Sequence, residues 1–308
     1  MDLYRIPGDT GSPWRQKQFL SLFKQDYIDG ATDYCLLIPF AEDFGLDKNQ
    51  RLWLAYLYGL SYSCTTAIRV FCEFPDFSSI RLPALKAYWD EYKSTLWFNP
   101  DRRYIQNNNQ FIEAIKSFRK TMGSQPYSTY KELIDSPQPF KNLYSAIKKG
   151  WKFFGPMGAY LFLDAIYGLM PDEYVDPVHL DWSQGGKTVV QGMAHFAYDD
   201  ELIETSKYPL ETYNKLVDKI QQKTSCPKVI IESTLCAFRK LFKQTRYIGY
   251  YADRMLEEVY TVEKYTPTGV DFWNYRARTI PSQLRGETLG WKGIRKNKLK
   301  DWVCRGVL

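Results

Sequence analysis

The chain has 308 residues, enough for one large domain or two small ones around a substantial apolar core. Lysine and arginine outnumber aspartate and glutamate 41 to 35, for a net charge of +6, and no apolar run approaches the length of a membrane span. Two histidines, and six cysteines without a Cys-x-x-Cys pair, argue against a histidine metal centre, a zinc site or a disulfide scaffold.

In chain order, the start at Met1 lacks the apolar segment of a signal peptide, and a reduced, cytosolic setting is expected. Residues 1–40 read as an N-terminal arm, turn-rich at first and then helical over 14–27. Asp47 followed three residues later by Gln50 is a capping box, opening a helix that carries Leu52, Ala55, Tyr56 and Gly59 to about Tyr58. A second helix from about Ser63 presents Ala67, Val70 and Phe71 on one face and stops at Pro75. Arg69 lies off that stripe and is expected at the surface, within reach of phosphate. Residues 107–121 form a helix on Phe111, Ile115 and Phe118. Gly123, Pro126, Pro137 and Pro139 then mark a loop or short-helix connector.

From Asn142 onwards, Leu143, Ile147, Trp151 and Phe154 recur at helical spacing, and Met157, Tyr160, Leu161 and Ile166 do the same after Gly155-Pro156-Met157-Gly158. Pro156 suits a first helical position, and the glycines permit close backbone approach. The reading is helix, glycine turn, helix, with free N–H groups at the turn able to hold an anion. An acidic loop over 172–182 follows, with Asp176, Asp181 and Trp182, then Gly185-Gly186-Lys187. Asp164 on the second helix of the hairpin needs a partner, or faces a pocket. Further helices are expected over 187–196, 209–220, after Pro227 and over 248–262, with Ile231, Leu235, Phe238 and Phe242 along one side of the third and Glu232, Cys236, Arg239 and Lys243 on another. Alternating strand patterns are almost absent, so the fold class is all-α.

Charge is unevenly spread. Residues 219–254 hold eight Lys or Arg against two acids, residues 285–308 seven against two, and residues 171–204 eight acids against one lysine. Basic flanks around an acidic centre fit a track for a phosphate backbone beside a site that uses carboxylates, although solvated helix faces give the same count. The 24 tyrosines and 9 tryptophans offer flat stacking faces with polar edges, and they serve ordinary cores equally well.

The helical hairpin followed by an aspartate-bearing loop resembles the layout of helix-hairpin-helix DNA glycosylases, though a plain αα-hairpin has the same outline. Several stretches are similar to the phage amino acid:DNA transferase family, also described as α-glutamyl/putrescinyl thymine pyrophosphorylases. They are Ala41-Glu42-Asp43-Phe44-Gly45-Leu46-Asp47, Arg51-Leu52-Trp53-Leu54-Ala55-Tyr56-Leu57-Tyr58-Gly59-Leu60 and Glu73-Phe74-Pro75-Asp76-Phe77. The glycine turn, Asp181-Trp182 with Gly185-Gly186, Glu232 with Cys236, and the closing run from Gly286-Glu287 to Lys296 belong to the same likeness.

The resemblance implies a glycosylase-like helical fold and a transferase. A kinase places pyrophosphate on 5-hydroxymethyluracil in phage DNA, and the transferase displaces it with an amino acid or amine, leaving a hypermodified thymine. The catalytic domain would cover 41–296, as one body or as two lobes (41–125 with 210–296, and 140–205), ahead of a basic tail over 297–308. Implied partners are double-stranded phage DNA carrying the modified thymine, a free amino acid or amine, a hydroxymethyluracil DNA kinase and a downstream amino-acid-modifying enzyme. The setting would be the cytoplasm of the infected host, away from any membrane. Alternatives are a glycosylase acting on a modified pyrimidine and a non-catalytic DNA-binding protein.

The chemistry assigns residues as follows. An attacking amine must be neutral, so a carboxylate is needed as base. The resemblance favours Asp181, since Asp181-Trp182 with Gly185-Gly186 is similar to the transferase pattern; Asp176 is second, and Glu232 is a third candidate. The departing group needs N–H or cationic partners, expected from Gly155, Gly158, Gly185, Gly186, Lys187 and Arg239. Tyr58, Tyr160 and Trp182 are candidates to stack on an extruded base, and Cys64 to add to the ring as thiolate. Lys240, Arg246, Arg254, Trp291, Arg295 and Lys296 are expected along the DNA. No cofactor or metal site is expected, magnesium at most accompanying the pyrophosphate.

Overall fold

A computed structural model describes residues 9–24, 34–99, 105, 107–180, 187–197, 209–242 and 249–286. Those residues contain helices and no strand, so the protein is all-α. The helices are α1 (Ser12–Phe23), α2 (Leu37–Asp43), α3 (Lys48–Ser61), α4 (Cys64–Glu73), α5 (Leu82–Tyr92), α6 (Asn108–Met122) and α7 (Pro126–Ile134). They continue as α8 (Pro139–Gly150), α9 (Pro156–Leu169), α10 (Lys187–Ala197), α11 (Leu210–Thr224), α12 (Lys228–Phe242), α13 (Tyr250–Val262) and α14 (Phe272–Thr279). The chain divides into two compact units, the first made of residues 1–32, 176–256 and 280–308, the second of 33–175 and 257–279.

Local chemistry starts these helices. Asp47 accepts from Gln50 N while the Gln50 side chain accepts from Asp47 N, the reciprocal pair that opens α3. Ser63 and Asn107 cap α4 and α6 by accepting from Thr66 N and Gln110 N. Pro126, Pro139 and Pro156 occupy first helical positions, where the missing N–H leaves nothing unpaired. Two of them make α7 and the start of α8 out of the stretch expected as a broken connector. Those prolines begin helices and do not end them.

In the second unit the aromatic residues form the core. Tyr56 stacks on Phe154 at 5.0 Å and 12° and lies 4.0 Å from Phe118, while Trp151 meets Phe154 and Phe162 edge-on at 5.0 Å. A Cβ on Gly59 would stand 3.1 Å from the Gly158 carbonyl, so α3 and α9 meet backbone to backbone there. The first unit is built on α10 against α12. A Cβ on Gly192 would lie 2.0 Å from the Leu235 carbonyl oxygen, so only glycine permits that contact. Phe19 of α1 meets Phe196 and Phe238 edge-on at 5.2 and 5.4 Å, and the fully buried His195 ring stacks on Phe242 at 4.2 Å.

Candidate functional site

In the first unit, the acidic loop runs along α11 and ends the approach to α12. Asp176 accepts from Lys228 N with both carboxylate oxygens (2.9 and 3.0 Å) and from Gln221 Nε2 (2.9 Å). It thereby satisfies a backbone donor at the start of α12, where a negative charge also suits the helix dipole. The Lys228 ammonium donates to the Val178 carbonyl and pairs with Asp218 at 2.7 Å. Asn214 accepts from Leu180 N (2.9 Å) and donates to Leu180 O (3.0 Å), clamping the backbone on both sides of that buried residue. Asn214, Asp218 and Gln221 are spaced four and three apart, so one face of α11 holds the whole segment 176–180.

Glu232 follows Lys228 by one turn of α12, a rise of about 6 Å. It is 7% exposed and has no hydrogen-bond partner among the described residues. Burial pushes its carboxyl up to about 8, against the pull of the Lys240 charge. Tyr213 of α11 is fully buried with an unpartnered hydroxyl among the described residues. Burial raises its pKa far above the ordinary tyrosine value, and the negative charge of Glu232 adds to the rise. The Tyr213 hydroxyl thus lies unsatisfied in a packed interior, where such groups are normally paired, and within the field of Glu232. Further along α12, Cys236, Arg239 and Lys240 are half-buried, and the Arg239 Nε is buried without a partner among the described residues.

The expected residues are thus distributed unevenly. Asp176, Glu232, Arg239 and Lys240 fall in the first unit, with Asp176 committed to the α12 start. Arg254, expected along DNA, is 4% exposed with its guanidinium 5.5 Å from the Tyr251 ring centroid, covered and not facing solvent. Asp181, Trp182, Gly185, Gly186, Arg246, Trp291, Arg295 and Lys296, and the Lys187 side chain, lie outside the described residues.

The remaining candidates belong to the second unit. Gly155 is half-buried with open space where a Cβ would stand, and Gly158 is buried against α3. The left-handed residue of this turn is Phe153 (φ 64°) and neither glycine. Its neighbouring cation Lys152 is engaged by Glu113 at 2.6 Å. Cys64, Tyr58 and Tyr160 are 0, 0 and 3% exposed, which places them inside the core in this structure. Arg69 departs from its expected surface position. It is 4% exposed and donates to the Thr95 carbonyl and hydroxyl, a pairing made by the chain segment after α5. Asp164 is also buried, at 3%.

Tyr213 and Asn214 were not legible as site residues. Tyr213 continues the apolar stripe with Val217 and Ile220, and only the proximity of α12 makes its hydroxyl notable. Among the described residues no cluster of three or more His, Cys, Asp or Glu could hold a metal, and no helix is long and apolar enough to cross a membrane.

Comparison with known proteins bears on what this arrangement acts upon. A family model described as amino acid:DNA transferase matches residues 40–247, well over half of the chain. A protein of Salmonella phage ViI named serinyltransferase is 23% identical over 300 residues, covering 85% of this chain and 72% of the relative. No solved structure matches.

Proposed function

The chain belongs to the amino acid:DNA transferase family and transfers an amino acid to DNA, and we propose that it does so by displacing pyrophosphate from 5-(pyrophosphoryloxymethyl)uracil, with Glu232 taking the proton of the incoming amine. The observation that carries this reading is the setting of Glu232: a buried carboxyl without a hydrogen-bond partner among the described residues, on the helix that carries Arg239 and Lys240, where burial pushes it up to about 8. A base matched to its donor and to the working pH transfers the proton with least cost.

The step balances as follows. The amine nitrogen bonds to the C5-methylene carbon while the carbon–oxygen bond to pyrophosphate breaks. The bonding pair leaves with the pyrophosphate, and the ammonium proton passes to the Glu232 carboxylate. Arg239 and Lys240 stand about two turns further along α12 and supply the charge that a departing pyrophosphate needs. The target base reaches these groups by leaving the duplex stack, which costs a few kcal/mol and is easier for a modified base. Asp181 remains a second candidate for the base. Serine is the first amino acid to test, because the phage relative is named for its transfer.

The experiment is to incubate duplex DNA carrying the pyrophosphorylated base with serine and, separately, the other amino acids. One pyrophosphate should be released for each nucleoside that gains the mass of the amino acid. If no amino acid gives release, the reading is abandoned. Alkali-labile strand breaks without mass gain would support a glycosylase instead.

A further inference from the structure

Helix α11 carries three parallel stripes. Tyr213, Val217 and Ile220 are buried, Asn214, Asp218 and Gln221 hold the segment 176–180, and Lys215, Lys219 and Lys223 are exposed to solvent. The lysines recur every four residues, about 6 Å apart along the axis and about 100° around from the stripe that holds the loop. Lys219 and Lys223 have no ion-pair partner among the described residues. Lys215 pairs with Glu211, but at 73% and 81% exposure solvent screens that pair and it yields readily to a phosphate. Asp218, the other acid here, is already engaged by Lys228.

The loop beside this stripe has an uncommon build. Its tip, Val178 and His179, faces solvent, with Val178 79% exposed. Its backbone is nevertheless fixed at Asp176, at the Val178 carbonyl and on both sides of Leu180. The apolar tip is therefore held outward by the fold and is not a loose turn.

We propose that this face of the first unit is a docking surface for duplex DNA: Lys215, Lys219 and Lys223 follow the phosphate backbone while the fixed tip at Val178 enters a groove. Charge complementarity selects the occupant, since three exposed cations in a row, one of them in a solvent-exposed pair, suit a polyanion, and an apolar wedge beside them suits the edge of a base step. The proposal rests on the reading of DNA as substrate, and names the surface that holds the duplex outside the reacting pocket.

The test uses the full chain with Lys215, Lys219 and Lys223 all replaced by glutamine, exposed changes that leave the core untouched. Binding to an unmodified 30-base-pair duplex is measured across a salt series. The slope of log K against log salt should shrink by about 2.7, at about 0.9 per phosphate contact, and affinity should fall on the order of a hundredfold near 0.15 M salt. On modified duplex the variant should keep kcat while KM rises; on a modified mononucleotide it should match wild type. A V178A variant should keep the salt slope and lose turnover on duplex only. An unchanged slope in the triple variant, with wild type transferring normally, overturns this surface. A reduced slope with no transfer by wild type leaves the surface standing and removes the proposed chemistry instead.

Discussion

Three buried carboxylates of the two units are held in opposite ways, Glu173 and Glu258 in the second and Glu232 in the first. In the second, Glu173 accepts from Lys48, from Tyr127 at 2.6 Å and from Lys131 at 3.3 Å, and Glu258 accepts from Ser63 (2.7 Å) and Thr65 (3.3 Å). Hydrogen bonds from Lys48 and Tyr127 hold the Glu173 carboxyl down to about 2. In the first unit, Glu232 is packed without a hydrogen-bond partner among the described residues and its carboxyl is pushed up to about 8. A fold that can pair its acids in one region and leaves one unpaired in another is spending stability there, and such spending marks chemistry more often than error.

The sharpest way to break the comparison is Glu232→Gln. Between its unfolded value of 4.5 and its folded value of about 8, the folded state holds a proton that the unfolded chain has released. Stability therefore falls as pH rises through that window, and the amide removes the loss. The variant should match wild type in unfolding free energy below pH 4.5 and exceed it above pH 8, by an amount on the order of a few kcal/mol. Transfer should drop by about 10²–10⁴-fold, and the rise in wild-type rate as pH passes about 8 should disappear. A variant that is less stable at pH 8.5 would mean that Glu232 has a partner after all, and the contrast between the units would collapse.

A smaller effect separates Glu232 from Asp176, another carboxylate of the first unit. Asp176→Ala leaves Lys228 N and Gln221 without their acceptor, at a cost of about 1–3 kcal/mol. Asp176→Asn keeps an acceptor oxygen and should lose less than half of that, with transfer within a fewfold of wild type. A hundredfold loss of rate in Asp176→Asn, at unchanged Tm, would move the proton-accepting role from Glu232 to Asp176. Chemical denaturation and single-turnover transfer on the same two variants give both readings.

Most of the helices were legible because their determinants are local. Asp47 with Gln50, Ser63 before Thr66, and Pro156 at its first position each act within one turn. Pro126 and Pro139 were misread because a proline reads equally as a stop or a start until the preceding turn is known. Arg69 went to the interior for a different reason: the group that receives it, Thr95, is brought there by tertiary packing and leaves no periodic trace. Arg254 lies over Tyr251, three residues earlier on α13, and that local spacing gives no sign that the arginine is buried. Glu232 stood out as a carboxylate beside an apolar stripe, yet its isolation depends on what α11 brings to it. Tyr213 carried no signal of its own, since a tyrosine in an apolar stripe is ordinary core.

Glu173 offers the mildest test and the opposite sign. Its folded value near 2 lies below the unfolded 4.5, so it contributes stability that is fully present above pH 4.5 and is lost as pH falls through 2. Glu173→Gln should lower Tm modestly at pH 7, because Lys48 and Lys131 are half-exposed and solvent screens much of their attraction. The gap should close as the pH approaches 2, while transfer at pH 7 stays unchanged. High salt should narrow it as well, since it weakens the two lysine pairs and leaves the Tyr127 hydrogen bond in place. The Glu232 variant should show a smaller salt dependence, because burial outweighs the pull of Lys240 there. Opposite pH slopes with different salt responses, measured side by side, are what paired and unpaired carboxylates in one chain require.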